Sequence, residues 1–210
     1  MNKFLALSLV LTLMCVSVFA RGDIDNKVGG VKRGSDAPLF TTKDINGNTI
    51  KLVKTDEGLE LFSVKADGKS IEIIKDKKAV LLSVWSTLCP ICDRDMPNLE
   101  KVHKNFKGKG LLVLGVNIDA NSETIKAYNK KHKLTFNSVV DTEKKITKAY
   151  NANLTPTNYL INLKTGKIEV VYEGITANML KSVEADVTML LEKSSITTPT
   201  IPPKAIGGVG

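Results

Sequence analysis

The pattern of apolar and polar positions predicts strands in the first part of the chain. Ala79–Trp85 and Leu111–Ile118 are uninterrupted apolar runs, which are typical of central strands buried on both faces. Asn46-Gly47 and Asp67-Gly68 are strong turn signals, and strand-type segments flank each of them. The flanking segments are Leu39–Ile45 with Thr49–Val53 and Leu59–Lys65 with Ser70–Ile74. We therefore expect two β-hairpins before the first central strand.

The rest of the chain changes to helical periodicity. Met96, Leu99, Val102 and Phe106 recur at steps of three and four and predict a helix that Lys107-Gly108 ends. Further helices are predicted over Ser122–His132, over Glu143–Tyr150 and from a cap at Thr176, and further strands over Phe136–Val140, Thr157–Asn162 and Ile168–Glu173. This order predicts an α/β fold, with a mixed central sheet flanked by helices.

Composition divides the 210 residues into four predicted segments: a signal peptide at 1–20, a linker at 21–33, one domain at 34–193 and a flexible tail at 194–210. Asn2-Lys3 is a short positive region, Phe4–Phe19 is apolar, and cleavage is expected after Ala20. We therefore expect an exported protein with a periplasmic or other extracytoplasmic location.

The signal segment and the net charge decide whether a membrane or a nucleic acid is expected as a partner. Membrane association is expected only if the signal segment stays uncleaved or is lipidated at Cys15, and Met14 argues against lipidation because lipoprotein signals have a small residue there. The net charge is +8, but the lysines are scattered and only 5% of the residues are aromatic. We therefore expect no nucleic-acid partner.

Cysteine usage narrows the chemistry. Only Cys89 and Cys92 remain after cleavage, and a bridge between them closes too short a loop to stabilise the fold much. Such a pair in an exported protein indicates either redox exchange or half of a metal site. A structural zinc needs about four ligands, and only His103 and His132 are available. We therefore expect no metal and no cofactor other than a redox-active Cys89–Cys92 disulfide.

The position of the pair favours redox exchange. Cys89-Pro90-Ile91-Cys92 lies between the Ala79–Trp85 strand and the following helix. The N-terminus of a helix stabilises a thiolate, because its free N–H groups carry positive partial charge. Cys89 is predicted to be the exposed nucleophile, and Cys92, one turn deeper, is predicted to resolve the mixed disulfide.

Four segments resemble one protein family. Trp85–Pro97 resembles the W-x-x-W-C-x-x-C-x-x-E-x-P signature of the thioredoxin-like thiol:disulfide oxidoreductases of the bacterial envelope, the TlpA/ResA type. Gly34–Phe40, Val116–Asp119 and Thr155–Ile161 are similar to three further motifs of that family. The resemblance implies a thioredoxin fold with an N-terminal β-hairpin extension, and thiol–disulfide exchange. The chain between Pro38 and Trp85 is longer than is usual there, which suggests an inserted hairpin around Leu59–Ile74.

The resemblance also implies roles for single residues. Asp95 matches the family's glutamate, where a carboxylate can shuttle the proton during exchange; an acid that only favours the start of the helix is an equally good interpretation. The Thr155-Pro156 bond is expected to be cis, leaving the Thr155 backbone free to pair with an extended substrate. The predicted substrate-binding residues are Trp85, Pro90, Ile91, Thr155 and Pro156. Leu88 departs from the pattern, in place of an aromatic residue, and so does Ser83, in place of thioredoxin's buried acid.

The expected function is that of an exported thiol-disulfide oxidoreductase that reduces disulfides of envelope proteins, such as cytochrome c precursors. Pro90-Ile91 lacks a histidine that could further stabilise the Cys89 thiolate, which favours the reducing direction. The expected partners are protein thiols or disulfides and an upstream envelope electron donor. The alternatives are an oxidant that installs disulfides and a non-catalytic interaction module. A peroxidase is disfavoured by Ser86 and Leu82, where that sister family has Thr and Pro.

Overall fold

The computed structural model describes residues 31–74 and 76–193. Nine strands, four α-helices and one short 3-10 turn make up this part of the chain. The strands are β1 (Phe40–Asp44), β2 (Thr49–Thr55), β3 (Gly58–Val64), β4 (Ile71–Ile73), β5 (Ala79–Trp85), β6 (Leu111–Asn117), β7 (Asn137–Val140), β8 (Thr157–Asn162) and β9 (Lys167–Glu173). The helices are α1 (Pro90–Phe106), α2 (Ser122–His132), α3 (Lys145–Ala149) and α4 (Leu180–Lys193), with the 3-10 turn at Lys107–Lys109.

All nine strands belong to one mixed sheet in the order β4-β3-β2-β1-β7-β6-β5-β8-β9. Strands β5, β6 and β7 are parallel to one another, and the other pairings are antiparallel. Every residue of β5 and β6 is buried, as the two apolar runs predicted. These strands form the centre of the sheet and carry the segments that surround the cysteines at their carboxyl ends.

Helices cover both faces of the sheet. Side chains alternate along a strand, so Leu81 of β5 packs on one face while Val80 and Leu82 pack on the other. The first face is covered by apolar side chains of α1, α2 and α4, and the second by those of α3 and of strands β2 and β3. The predicted mixed sheet with flanking helices is confirmed.

The first four strands form one continuous unit, whereas the sequence predicted two separate hairpins. Strand β2 pairs with β3 along its whole length, from Thr49 opposite Val64 to Thr55 opposite Gly58, so β1 to β4 form one antiparallel meander. The meander joins the central sheet where β1 pairs with β7. The turn at Asp56-Glu57 connects the two predicted hairpins and carries no strong turn signal in the sequence. Describing these strands as an extension and an insertion relative to the family stays a prediction.

Two helices begin later than predicted. Helix α3 begins at Lys145, because Lys144 adopts a left-handed backbone conformation (φ 57°) and the Asp141 carboxylate accepts the N–H groups of Ile146 and Thr147. Helix α4 begins at Leu180, after a turn in which the Thr176 carbonyl accepts the N–H groups of Met179 and Leu180. The predicted signal peptide, most of the linker and the tail lie outside the described residues. Within the described residues, no helix has the length and apolar character that crossing a membrane requires.

Candidate active site

The Cys89 side chain caps the N-terminus of α1. Its backbone is extended (φ −98°, ψ 109°), and its Sγ accepts the backbone N–H of Cys92 at 3.2 Å. Pro90 follows at the first helical position, where a missing N–H costs nothing and a fixed φ suits the helix. The helix therefore begins at the cysteine predicted to attack, and its N–H groups point at that sulfur.

The two sulfurs lie in different surroundings. Both are free thiols; Cys89 is partly exposed, whereas Cys92 is completely buried. Burial raises the pKa of Cys92 to about 12, and its contact with Cys89 adds to the rise. Cys92 is therefore a neutral thiol at physiological pH unless a base removes its proton.

The pKa of Cys89 lies below its ordinary value. Burial alone would raise this pKa, but hydrogen bonds from the side chains of Cys92 and Thr155 and from the backbone N–H groups of Cys92 and Ile91 outweigh burial. A lower pKa gives Cys89 more thiolate at neutral pH, and the thiolate is the attacking species. Cys89 is thus chemically suited to attack, and Cys92 is not.

The turn before β8 lies against Cys89. The Thr155-Pro156 peptide bond is cis, and the Cys89 thiol donates to the Thr155 carbonyl at 3.4 Å. Two residues that are 66 positions apart in the sequence thus meet at the sulfur. The Thr155 backbone borders the sulfur, as the family resemblance implied.

Asp119 holds the segment that precedes Cys89. Its carboxylate accepts the Ser86 hydroxyl (3.0 Å), the Thr87 hydroxyl (2.9 Å) and the Thr87 backbone N–H (3.0 Å). Burial tends to raise the pKa of Asp119, but these hydrogen bonds and one with Asn117 hold it below the ordinary value. Asp119 was predicted only as part of a family motif, without a role of its own. Its place directly after a buried strand, level with the cysteine segment, is the signal that could have identified it.

Asp95 is buried on α1, with 2% of its surface exposed. One carboxylate oxygen pairs with the exposed Arg94 guanidinium (Oδ1 to Nε, 2.8 Å), and the other accepts the Ile175 N–H (Oδ2 to N, 3.2 Å). These two partners satisfy the charge of a carboxylate that would otherwise be costly to bury. The proton-shuttle role of Asp95 stays a prediction.

Trp85 was predicted to bind substrate, and for its side chain this prediction is wrong. The side chain is completely buried at the end of β5 and packs against the ring of Tyr128 of α2, with 4.8 Å between ring centroids. The Tyr128 hydroxyl donates to the Asp93 carboxylate, next to Cys92. Burial and this hydrogen bond raise the pKa of Tyr128, and the nearby sulfurs act in the same direction. Trp85 therefore belongs to the packing beneath the site.

Exposed apolar side chains lie close to Cys89 and Thr155 in the sequence. Of the predicted contact residues on α1, Pro90 is exposed and Ile91 has half of its surface exposed. Leu88, where the family pattern has an aromatic residue, is 82% exposed, and Leu154 is 53% exposed. We call Leu88, Ile91 and Leu154 the apolar rim. The loss of the aromatic residue at position 88 therefore leaves the surface apolar.

A model of the AhpC/TSA family matches residues 33–171, which include both cysteines and the Thr155-Pro156 turn. The chain belongs to the AhpC/TSA family. Among similar proteins, the thiol-disulfide oxidoreductase ResA of Bacillus subtilis is 27% identical over 84% of this chain and 88% of its own length. ResA of Halalkalibacterium halodurans is 32% identical over 55% of this chain and 66% of its own length.

Solved structures support the fold of this AhpC/TSA protein. A thiol:disulfide interchange protein from Bacteroides has a TM-score of 0.56 at 24% identity, covering 75% of this chain and 91% of its own. A thiol:disulfide interchange protein of the thioredoxin family from Chlorobium tepidum has a TM-score of 0.54 at 20% identity, covering 76% and 97%. The predicted thioredoxin fold, the predicted family resemblance and the enzyme class are confirmed: the protein is a thiol-disulfide oxidoreductase of the ResA type.

Proposed function

We propose that this protein is an exported disulfide reductase that uses Cys89 as the nucleophile and Cys92 as the resolving thiol. The observation that carries the proposal is the unequal pair at the start of α1. A partly exposed thiol with a lowered pKa lies beside a buried thiol with a raised one. Each sulfur is suited to one step of disulfide exchange and poorly suited to the other.

The reaction follows from the two environments. The Cys89 thiolate attacks one sulfur of a substrate disulfide, forming a mixed disulfide and releasing the other substrate sulfur as a thiolate. Cys92 then loses its proton and attacks Cys89, which releases the second substrate thiolate and leaves a Cys89–Cys92 disulfide. Two electrons pass to the substrate, whose two sulfurs end as thiols. An envelope dithiol donor must return two electrons to the Cys89–Cys92 pair before the next cycle.

The second step needs a base, because the pKa of Cys92 is about 12. Asp95 is the proposed proton acceptor: it is a buried carboxylate one turn after Cys92 on the same helix. Tyr128 is a poor candidate, since its own raised pKa and its hydrogen bond to Asp93 keep its hydroxyl protonated. Asp95 therefore keeps its predicted role as part of the proposal.

The substrate is proposed to be an extended, partly apolar protein segment that carries a disulfide. The exposed side chains of Leu88, Ile91, Leu154 and Pro90 offer apolar contacts near Cys89 and Thr155, whereas the Pro156 side chain is buried. The Thr155 backbone offers main-chain pairing beside the sulfur. Precursors of c-type cytochromes are the proposed physiological substrates, and the predicted signal peptide supports the proposal that the reaction takes place in the envelope.

The reduction potential of the Cys89/Cys92 couple tests the direction of electron flow. A potential near that of thioredoxin, ~−270 mV, is expected for a reductase, whereas a potential near ~−120 mV is that of a strong oxidant. The lowered pKa of Cys89 is the one observation that favours the oxidant, because a stabilised thiolate stabilises the reduced form. Equilibration of the full protein with glutathione buffers, read by alkylation of the free thiols, measures it. A value above ~−180 mV would replace the reductase with the oxidant.

A further inference from the structure

Helix α1 and the Thr155-Pro156 turn are joined a second time, away from the sulfurs, by the two residues that follow β9. The Gly174 N–H donates to the Pro156 carbonyl at 2.9 Å. The Ile175 N–H donates to Asp95 Oδ2 at 3.2 Å, and the Ile175 carbonyl accepts from Asn98 Nδ2 at 2.9 Å. We call Gly174-Ile175 the bridging dipeptide.

The bridging dipeptide fits tightly between α1 and the turn. Asp95 and Asn98 lie three residues apart, so they share one face of the helix and hold both polar groups of one peptide residue. Both side chains are buried, with 2% and 7% of their surfaces exposed. A Cβ atom at Gly174 would lie 2.6 Å from Asp95 Oδ2, and the Gly174 φ of +81° also favours glycine. Water therefore competes little for these hydrogen bonds, and the spacing leaves little freedom.

These contacts close a ring around the sulfur. The ring runs from Cys89 along α1 to Asp95 and Asn98, across the bridging dipeptide to Pro156, and from Thr155 back to the Cys89 sulfur. We propose that Asn98 is a positioning residue for disulfide exchange, which fixes the bridging dipeptide and so holds the Thr155-Pro156 turn against Cys89. This inference rests on the proposed function only in assigning a reaction to that sulfur.

A substitution at Asn98 tests the positioning of the turn without affecting the proposed proton transfer. Asp95 touches the same dipeptide but also carries the proposed proton role, so a change at Asp95 would mix the two effects. The Asn98 amide does not titrate and cannot carry the proton. An effect of Asn98 on Cys89 must therefore pass through the position of the turn.

The test uses the reduced full protein with Asn98→Ala, and Asn105→Ala as the matched control. Asn105 lies on the same helix and donates to Glu184 of α4, without touching the bridging dipeptide. In Asn98→Ala the Gly174 amide is expected to exchange hydrogen about tenfold faster, since Asn98 no longer holds the bridging dipeptide against Pro156. Alkylation of Cys89 by iodoacetamide at pH 7 is expected to slow about threefold or more, because the hydrogen bond from the Thr155 side chain, which favours the Cys89 thiolate, weakens when the turn moves. Asn105→Ala should change neither.

Three results would overturn the proposal. The first is wild-type exchange at Gly174 in a folded Asn98→Ala protein, and the second is an unchanged alkylation rate of Cys89. The third is faster exchange that is equally large at Gly174, in β5 and throughout α1, which would show only a loss of global stability.

A second variant covers the case in which Asn98→Ala does not fold. Asn98→Ser leaves a smaller cavity than alanine, and because its side chain is shorter than that of asparagine, we expect the hydrogen bond to the Ile175 carbonyl to be lost. The same two effects are expected in Asn98→Ser, and their absence would overturn the proposal. Alkylation by iodoacetamide needs no disulfide substrate, so these results stand apart from the proposed function. A wild-type protein inert toward disulfides would contradict that function while leaving the Asn98 effect measurable.

Discussion

Cys89 and Cys92 are the same residue type three positions apart, and their different chemistry comes from the first turn of α1. The N-terminal N–H groups of the helix and Thr155 surround Cys89, whereas apolar core residues surround Cys92. Charge is stabilised at the first sulfur and penalised at the second. The position at which α1 begins therefore determines which of the two cysteines attacks the substrate.

The unequal pair predicts unequal alkylation. In the reduced protein one thiol should titrate with a pKa below ~8.5 and react with iodoacetamide near neutral pH, while the other stays inert until strongly alkaline pH. The reactive thiol should disappear in Cys89→Ser and persist in Cys92→Ser. Alkylation quenched at a series of times and pH values, followed by mass spectrometry of each cysteine peptide, measures the reaction rate of each thiol. Equal rates at the two sulfurs would contradict the assignment.

Asp119 predicts a contribution to stability that depends on pH. Its pKa is lowered in the folded protein, so its contribution is present above the unfolded value of 3.8 and is lost as the pH falls through the folded value. Asp119→Asn keeps the size of the side chain but loses the charged acceptor for Ser86 and Thr87. Because Asp119 is exposed and solvent screens its charge, the substitution should lower the free energy of unfolding at pH 7 by only about 0.5–1 kcal/mol, and the difference from wild type should shrink below about pH 4.

Urea denaturation at pH 7 and pH 3 measures the Asp119 effect. Glu143→Gln is the control, because Glu143 is exposed and pairs with the equally exposed Lys145, so it should change little at either pH. A difference between Asp119→Asn and wild type that stays the same at both pH values would show that the charge of Asp119 is not what holds the cysteine segment.

Among the elements, the β2–β3 turn makes the tightest backbone contact of the meander. Gly58 has a φ of +130°, and a Cβ atom there would lie 2.3 Å from the Leu163 carbonyl oxygen. The Leu59 N–H donates to that same carbonyl at 2.6 Å. The meander is thus fixed to the end of β8 through a glycine that has no room for a side chain.

Gly58→Ala is expected to lower the free energy of unfolding by about 2–4 kcal/mol, because it combines backbone strain with a collision against main-chain atoms. Gly68→Ala is the matched control: Gly68 also has a positive φ (+69°), but nothing lies within 4 Å of its Cβ position. It should cost about 1 kcal/mol, from strain alone. Equal losses in thermal or urea denaturation would show that the close approach at Gly58 does not stabilise the meander.

The strands and helices with a strong local pattern could be predicted from the sequence. The apolar run of β5 and the Asn46-Gly47 turn carry their own signals, so their positions agree with the structure. The pairing of β2 with β3 could not be predicted in the same way, because Thr55–Gly58 is a polar segment without a strong turn signal. The late start of α3 depends on the left-handed backbone of Lys144 and on the hydrogen bonds that Asp141 accepts from Ile146 and Thr147, which hydrophobic periodicity does not show.

At the scale of the whole molecule, the site is assembled from segments far apart in the chain. Thr155 meets a sulfur 66 residues away, and Ile175 meets Asp95 across 80 residues. The sequence predicted the sulfurs and the Thr155-Pro156 turn because each belongs to a recognisable motif. It did not predict the contact of Asn98 with Ile175 or the hydrogen bonds from Thr87 to Asp119. An asparagine on a helix and an aspartate after a strand acquire such roles only through tertiary contacts. For Trp85 the motif is present, but the predicted substrate contact of its side chain is wrong, because packing buries that side chain.

The order of the two attacks is the central claim, and a mixed-disulfide trap tests it most directly. Removing Cys92 leaves Cys89 able to attack but removes the thiol that releases the substrate. Cys92→Ala, expressed as the full chain with its native N-terminal segment, should therefore accumulate covalent protein adducts that a reducing agent dissolves. Cys89→Ala should form none. Absence of reducible adducts in Cys92→Ala, under conditions where its Cys89 thiol is shown by alkylation to be free, would contradict the mechanism.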